Sequence, residues 1–168
     1  FTDRRQRQMC IRDRTNSGTI TATAANSGMS INQSDGTVVT NTGTISGVGM
    51  GMQSSNVDNS TITNHGTISA SANLGYGILY ENDGTNRVNN TLNNYGTISA
   101  TSGSLADGIG IGRNANPMFN ITINNHGTIS GSDNSIFILN SSSTGINIVT
   151  KGEGTYAVSY THLRAHET

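Results

Sequence analysis

The chain is predicted to be an all-β parallel β-helix, a β-solenoid of about five coils of 23–31 residues with three short strands in each. Three observations carry this expectation. A heptapeptide, seen as NYGTISA at 94–100, recurs as NSGTITA, NTGTISG, NHGTISA and NHGTISG, and its glycines Gly18, Gly43, Gly66, Gly96 and Gly127 are spaced by 25, 23, 30 and 31 residues. Around each glycine, apolar and polar residues alternate with a period of two, the period of an extended chain with one face buried. The composition is poor in apolar (32%) and aromatic (5%) residues, too thin for a globular core, yet its β-branched residues stand at fixed places, unlike those of a disordered polar tract.

The first unit, 15–40, sets Ile20, Met29, Ile31 and Val39 between polar turns. The second, 41–63, is the shortest and uses GVGMGMQ (47–53) as its middle segment. The third and fourth insert more loop and supply LGYGILY (74–80) and DGIGIG (107–112) as middle strands. The fifth begins at Asn125, places SIFILN at 135–140, and runs through GINIV (145–149) into a degenerate coil.

Aligned on the glycine, four columns share one parity and are predicted to face inward. Four residues before it stand Val39, Ile62, Leu92 and Ile123. Two before stand Asn16, Asn41, Asn64, Asn94 and Asn125, and two after stand Ile20, Ile45, Ile68, Ile98 and Ile129. Four after come Ala22, Gly47, Ala70, Ala100 and Gly131. The opposite parity carries Thr19, Thr44, Thr67, Thr97 and Thr128, then Thr21, Ser46, Ser69, Ser99 and Ser130, an outward polar face. Stacked at about 4.8 Å per coil, five coils make a rod of roughly 24 Å, and each inward column becomes a ladder of like residues. Each asparagine is expected at a corner, pairing its side-chain amide with the copies above and below. Each following glycine is expected to supply a backbone conformation that a Cβ would penalise.

The ends lack the repeat. Met9–Asp13 and Val158–His162 can be encoded by reverse-complementary DNA, and RRQRQMCIRDR and VSYTHLRAHET look like translated transposase sequencing adapters. The expected organisation is therefore 1–14 and 158–168 as disordered, adapter-derived segments flanking a β-helix fragment at 15–157. Setting the ends aside leaves Arg87, Arg113 and Lys151 as cations against seven acidic residues, no basic footprint for nucleic acid, and no cysteine once Cys10 is excluded. No leader is visible, as expected for an internal fragment, and no apolar run is long enough to span a bilayer.

TLNNYGTISA (91–100) and TINNHGTISG (122–131) resemble the INNxGTISG-like unit of bacterial autotransporter passengers, and the resemblance extends over 15–156. It implies a right-handed parallel β-helix, export through the outer membrane, and display on a Gram-negative cell surface. It further implies a C-terminal translocator barrel in the full-length protein, with more coils of the same chain as neighbours and host or bacterial surface glycans or proteins as partners. The resulting expectation is a structural or adhesive stalk segment without catalysis or cofactor. A polysaccharide-degrading β-helix enzyme fragment and an ice-binding β-solenoid are the alternatives.

Chemistry-bearing residues are few. His65 and His126 occupy the slot held elsewhere by Ser17, Thr42 and Tyr95, two coils apart and too distant to share a metal. Asp35, Asp58, Asp83, Asp107 and Asp133 lie in Gly-, Ser- and Asn-rich stretches where turn formation accounts for them. The scattered cations do not join them into a catalytic face. GVGMG and GIGIG lack the Lys-Ser/Thr of a phosphate loop and are expected to be packing sites.

Overall fold

The computed structural model describes residues 13–24, 26–82, 87–113, 117–140 and 142–150, without the side chains of residues 87 and 113. All regular structure in this range is β. The first coil holds β1 (Asp13–Asn16), β2 (Thr19–Thr21) and β3 (Ser27–Asn32); the second holds β4 (Val38–Asn41), β5 (Thr44–Gly47) and β6 (Met50–Ser55). The third holds β7 (Thr61–Asn64), β8 (Thr67–Ala70) and β9 (Tyr76–Glu81). The fourth adds a short β10 (Arg87–Val88) before β11 (Thr91–Asn94), β12 (Thr97–Ala100) and β13 (Asp107–Arg113). The fifth repeats this with β14 (Met118–Phe119), β15 (Thr122–Asn125), β16 (Thr128–Gly131) and β17 (Ile136–Ile138), and β18 (Asn147–Thr150) opens a sixth.

Equivalent strands pair in parallel from coil to coil and build three long sheets. The first runs β1-β4-β7-β11-β15-β18, the second β2-β5-β8-β12-β16, the third β3-β6-β9-β13-β17. This is the predicted β-solenoid with three strands per coil. A fourth, two-stranded sheet, β10-β14, forms only in the two longer coils, from residues that precede the first-sheet strand.

The alternation read from the sequence is realised directly. In β5, β7, β8, β11, β12 and β15 half-buried and buried residues alternate. Val39, Ile62, Leu92 and Ile123 align in one inward column, and Ile45, Ile68, Ile98 and Ile129 in another. With Met52, Ile78, Tyr80, Ile109 and Ile111 from the third sheet they form one continuous core. A fully buried aliphatic side chain contributes about 1.5–3 kcal/mol, so a short core repeated along an axis substitutes for a globular one.

Three expectations change at the ends of the stack. Ile20 and Ala22, placed by sequence in buried columns, are only half-buried, because the first coil has no described coil beneath it; Gly131 is half-buried at the other end. Asp13 and Arg14, assigned by sequence to a disordered segment, are the first residues of β1 and pair with Val38 and Val39. A parallel ladder needs only backbone, so pairing extends past the repeat, and both side chains remain exposed. The other residues of 1–14, together with 151–157 and 158–168, lie outside the described residues.

Candidate functional site

The corner between the first and second sheets is built on the asparagine column. Each Asn Nδ2 donates to the Oδ1 of the next coil's asparagine at 2.8 Å, from Asn16 through Asn41, Asn64 and Asn94 to Asn125. The same nitrogens reach the carbonyl of a threonine one coil on, as Asn64 does to Thr97 at 3.2 Å, and the carbonyl of the adjacent turn glycine, Gly66, at 3.2 Å. In the inner coils the corner N–H groups are taken by backbone: His65 and Gly66 both donate to the Asn41 carbonyl, and Tyr95 and Gly96 to that of Asn64. At the two ends of the column the side chain takes the glycine N–H, Gly18 donating to Asn16 Oδ1 at 3.2 Å and Gly127 to Asn125 Oδ1 at 3.3 Å. All five asparagines are buried. A buried amide leaves no uncompensated polar group when its donors and acceptor are engaged in this way.

The glycines beside them act through close approach, not through an unusual dihedral. Gly18, Gly43, Gly66, Gly96 and Gly127 are absent from the positive-φ residues, which corrects the expected conformational role. A Cβ on Gly66 would stand 2.0 Å from the Gly43 carbonyl oxygen, and one on Gly96 2.1 Å from that of Gly66. At Gly18, with no described coil beneath, a Cβ would meet nothing within 4 Å.

Between asparagine and glycine, one side chain per coil projects outward. Ser17, Thr42, His65, Tyr95 and His126 are all exposed. In the last three coils the rings stack: His65 and Tyr95 have centroids 4.8 Å apart and planes 7° from parallel, and Tyr95 and His126 are 4.8 Å apart at 16°. The coil spacing imposes this distance, which falls in the favourable range for ring pairs. The two histidines therefore sit on opposite faces of Tyr95, separated by a ring. Flanking the ridge are the half-buried Thr67, Thr97 and Thr128 with Ser69, Ser99 and Ser130 on one side, and Thr63, Asn93 and Asn124 on the other. These residues give the two sheet faces beside the ridge an uncharged, hydroxyl- and amide-bearing character.

Asp35 and Asp133 lie in a turn and a bend, as expected, but the aspartates also act between coils. Asp35 Oδ1 accepts the backbone N–H of Asp58, and Asp58 Oδ1 accepts that of Val88, so each clips one coil to the next. Asp107 lies in strand β13, not in a loop, and is buried; its Oδ1 accepts from both the backbone N–H and the Nδ2 of Asn134. Burial pushes its carboxyl above the ordinary range, the two hydrogen bonds from Asn134 oppose this, and the nearby Asp133 charge adds to it. Asp83 lies outside the described residues. Among the described residues no three His, Cys, Asp or Glu side chains gather in a way that could hold a metal ion.

The glycines of the third sheet are packing positions, as the sequence suggests: a Cβ on Gly51, Gly77 or Gly108 would press within 2.7–2.9 Å of the Cγ2 of Ile68, Ile98 or Ile129. Tyr80, on the same sheet, is fully buried with a hydroxyl that finds no hydrogen-bond partner. An open cleft of about 550 Å³, lined by Ile138, Gly145, Ile146 and Ile148, marks the last described coil.

Sequence reasoning missed a second corner. Gly36, Asn59, Asn89, Asn120 and Gly145 occupy equivalent positions two residues before the first-sheet strands, and all five have φ between 52° and 69°. The first four stand at one constant distance before the repeat glycines Gly43, Gly66, Gly96 and Gly127, so carrying the same alignment further back would have revealed them. Glycine and asparagine are the residues that enter the left-handed region at least cost.

Comparison of the chain with known protein families, with curated proteins and with solved structures finds no match.

Proposed function

We propose that the chain is a stalk segment from the passenger region of a surface-displayed or secreted bacterial autotransporter, structural and adhesive, with no catalysis of its own. Its neighbours are further coils of the same full-length protein, and a C-terminal translocator barrel of that protein anchors it in the outer membrane. The Thr, Ser and Asn faces and the ring ridge between them are the surfaces offered to glycans or proteins of host or bacterial cells.

The observation that carries this reading is the uninterrupted inter-coil bonding at one corner from Asn16 to Asn125. Each of the first four coils is held to the next by the same side-chain amide, so the segment extends by addition of like units and keeps its exposed columns in line. Regular outward columns on a stiff axis suit multivalent contact with repetitive ligands, in which many weak contacts add through effective concentration. The INNxGTISG-like units support the autotransporter assignment by resemblance.

The test is display of the complete reading frame on cells, with and without residues 41–93. That deletion removes two whole coils and joins Thr40 to Asn94 in register. Shortened display with reduced cell-to-cell aggregation is the expected result. Full aggregation after deletion would overturn the adhesive reading, release of reducing sugar from an acidic polysaccharide would favour a β-helix hydrolase or lyase, and thermal hysteresis on freezing would favour ice binding.

A further inference from the structure

The left-handed corner column carries chemistry that the buried ladder does not. The ladder asparagines Asn16, Asn41, Asn64, Asn94 and Asn125 are each followed two residues later by glycine, whereas Asn59-Ser60-Thr61, Asn89-Asn90-Thr91 and Asn120-Ile121-Thr122 each match N-x-T. That tripeptide, with any residue but proline in the middle, is the acceptor motif for N-linked sugar. Asn59, Asn89 and Asn120 are exposed, and the threonines are half-buried at the start of β7, β11 and β15.

We propose that Asn59, Asn89 and Asn120 form a column of N-glycosylation acceptors, one per coil in three successive coils. The side chains stack in line, Asn89 Nδ2 donating to Asn59 Oδ1 at 3.1 Å and Asn120 Nδ2 to Asn89 Oδ1 at 3.4 Å. Each of these bonds uses one of the two hydrogens on its nitrogen, leaving the other for substitution. The left-handed backbone turns this corner away from the sheets, with φ of 53°, 60° and 52° at the three asparagines. The end positions of the same column are Gly36 and Gly145, so the fold tolerates loss of the side chain there and does not by itself demand asparagine.

The sugar donor is a hexose activated at its anomeric carbon as a nucleoside diphosphate ester. The asparagine Nδ2 attacks that carbon, a C–N bond forms as the C–O bond to the diphosphate breaks, the nitrogen releases one proton, and the nucleoside diphosphate departs with the bonding electron pair. A linked hexose at each rung would convert this edge of the rod into a hydrated glycan stripe, on a different edge from the His65–Tyr95–His126 ridge.

The folded 168-residue chain is incubated with a soluble N-x-S/T-specific glycosyltransferase and UDP-glucose, and the product is read by intact mass and peptide mapping. Asn32-Gln33-Ser34 and Asn140-Ser141-Ser142 match N-x-S outside this column; a hexose mapped to each of Asn59, Asn89 and Asn120 is the expected result. Thr61→Val, Thr91→Val and Thr122→Val should each remove one addition, Thr→Ser at the same places should retain it, and Asn59→Gly, a change the column already accommodates, should remove one without altering the circular dichroism. No transfer to these three residues while a peptide bearing the same tripeptide is modified, transfer confined to Asn32 or Asn140, or additions that survive the Thr→Val changes would overturn the proposal.

Discussion

Replacing Asn94 probes the inter-coil ladder at its centre. Asn94 is fully buried, accepts from Asn64 Nδ2 at 2.8 Å, and donates to Asn125 Oδ1 at 2.8 Å, to the Thr128 carbonyl at 3.2 Å and to the Gly96 carbonyl at 3.3 Å. Asn94→Ala removes all four bonds, three of them between coils. At about 1 kcal/mol net per bond, with the partners left short of their full complement, the loss is about 3–5 kcal/mol. Asn94→Asp is worse near neutrality, because an anionic oxygen then faces three acceptor oxygens in a buried corner. Acidification should relieve that variant: its buried carboxyl has a folded pKa above the unfolded one, so it is best tolerated below the unfolded pKa and increasingly harmful as pH rises through the folded value. Tyr95→Ser is the control one residue away; Tyr95 is 48% exposed and loses only two ring contacts, about 1 kcal/mol in total. Urea denaturation of the variants provides the comparison. Equal midpoint shifts for Asn94→Ala and Tyr95→Ser would refute the assignment of the asparagine column to the load between coils.

Three further outcomes are expected. Gly96→Ala should destabilise by about 3 kcal/mol or more through overlap with the Gly66 carbonyl, whereas Gly18→Ala should leave the thermal midpoint unchanged; similar effects at both would remove close approach as the reason for these glycines. Tyr80→Phe should be neutral or stabilising by about 1 kcal/mol, since it deletes a buried hydroxyl without a partner, and a clear loss in denaturant midpoint would contradict that. Asp107→Asn should raise the melting temperature at neutral pH, because the carboxyl's folded pKa is raised and its contribution to stability, present below the unfolded pKa, is lost as pH rises through the folded value. The advantage of this variant should shrink on acidification, and a pH-independent difference would point away from the carboxyl.

The buried columns were legible because the glycine-centred segment has constant length. From Val39, Ile62, Leu92 and Ile123 to the small residues after the isoleucines, two strands and one corner repeat without insertion, so sequence offset and spatial register coincide. Whole coils vary from 23 to 31 residues, all of the variation falling outside that segment, and in the third-sheet strands the glycine alignment slides. That is why the Asp107–Asn134 bridge escaped: Asp107 pairs with Tyr76, although the two stand at different offsets from their glycines. The left-handed column of Asn59, Asn89 and Asn120 and the β10-β14 sheet keep constant offsets before the glycine, and were hidden because neither carries a hydropathy pattern; the first shares a backbone conformation across Gly and Asn, and the second joins Arg87-Val88 to the unlike Met118-Phe119. The physical role of the turn glycines escaped for a different reason. A close approach between coils depends on what lies in the neighbouring coil, and Gly18 and Gly43 look alike in sequence although only Gly43 has a carbonyl 2.0 Å from its missing Cβ. The ring ridge was half visible: the slot of His65, Tyr95 and His126 was placed outward, but the consequence of stacking three flat side chains at one coil spacing was not drawn.

Side-chain amide NMR of the folded chain tests the coil stack most directly. The Nδ2 protons of Asn41, Asn64 and Asn94 should exchange slowly and show through-space contacts to the asparagine one coil on, Asn64, Asn94 and Asn125 respectively, while the exposed Asn32 amide exchanges at the rate of free solvent. Fast exchange of the ladder amides at the Asn32 rate, or contacts that skip a coil, would contradict the register on which the solenoid rests.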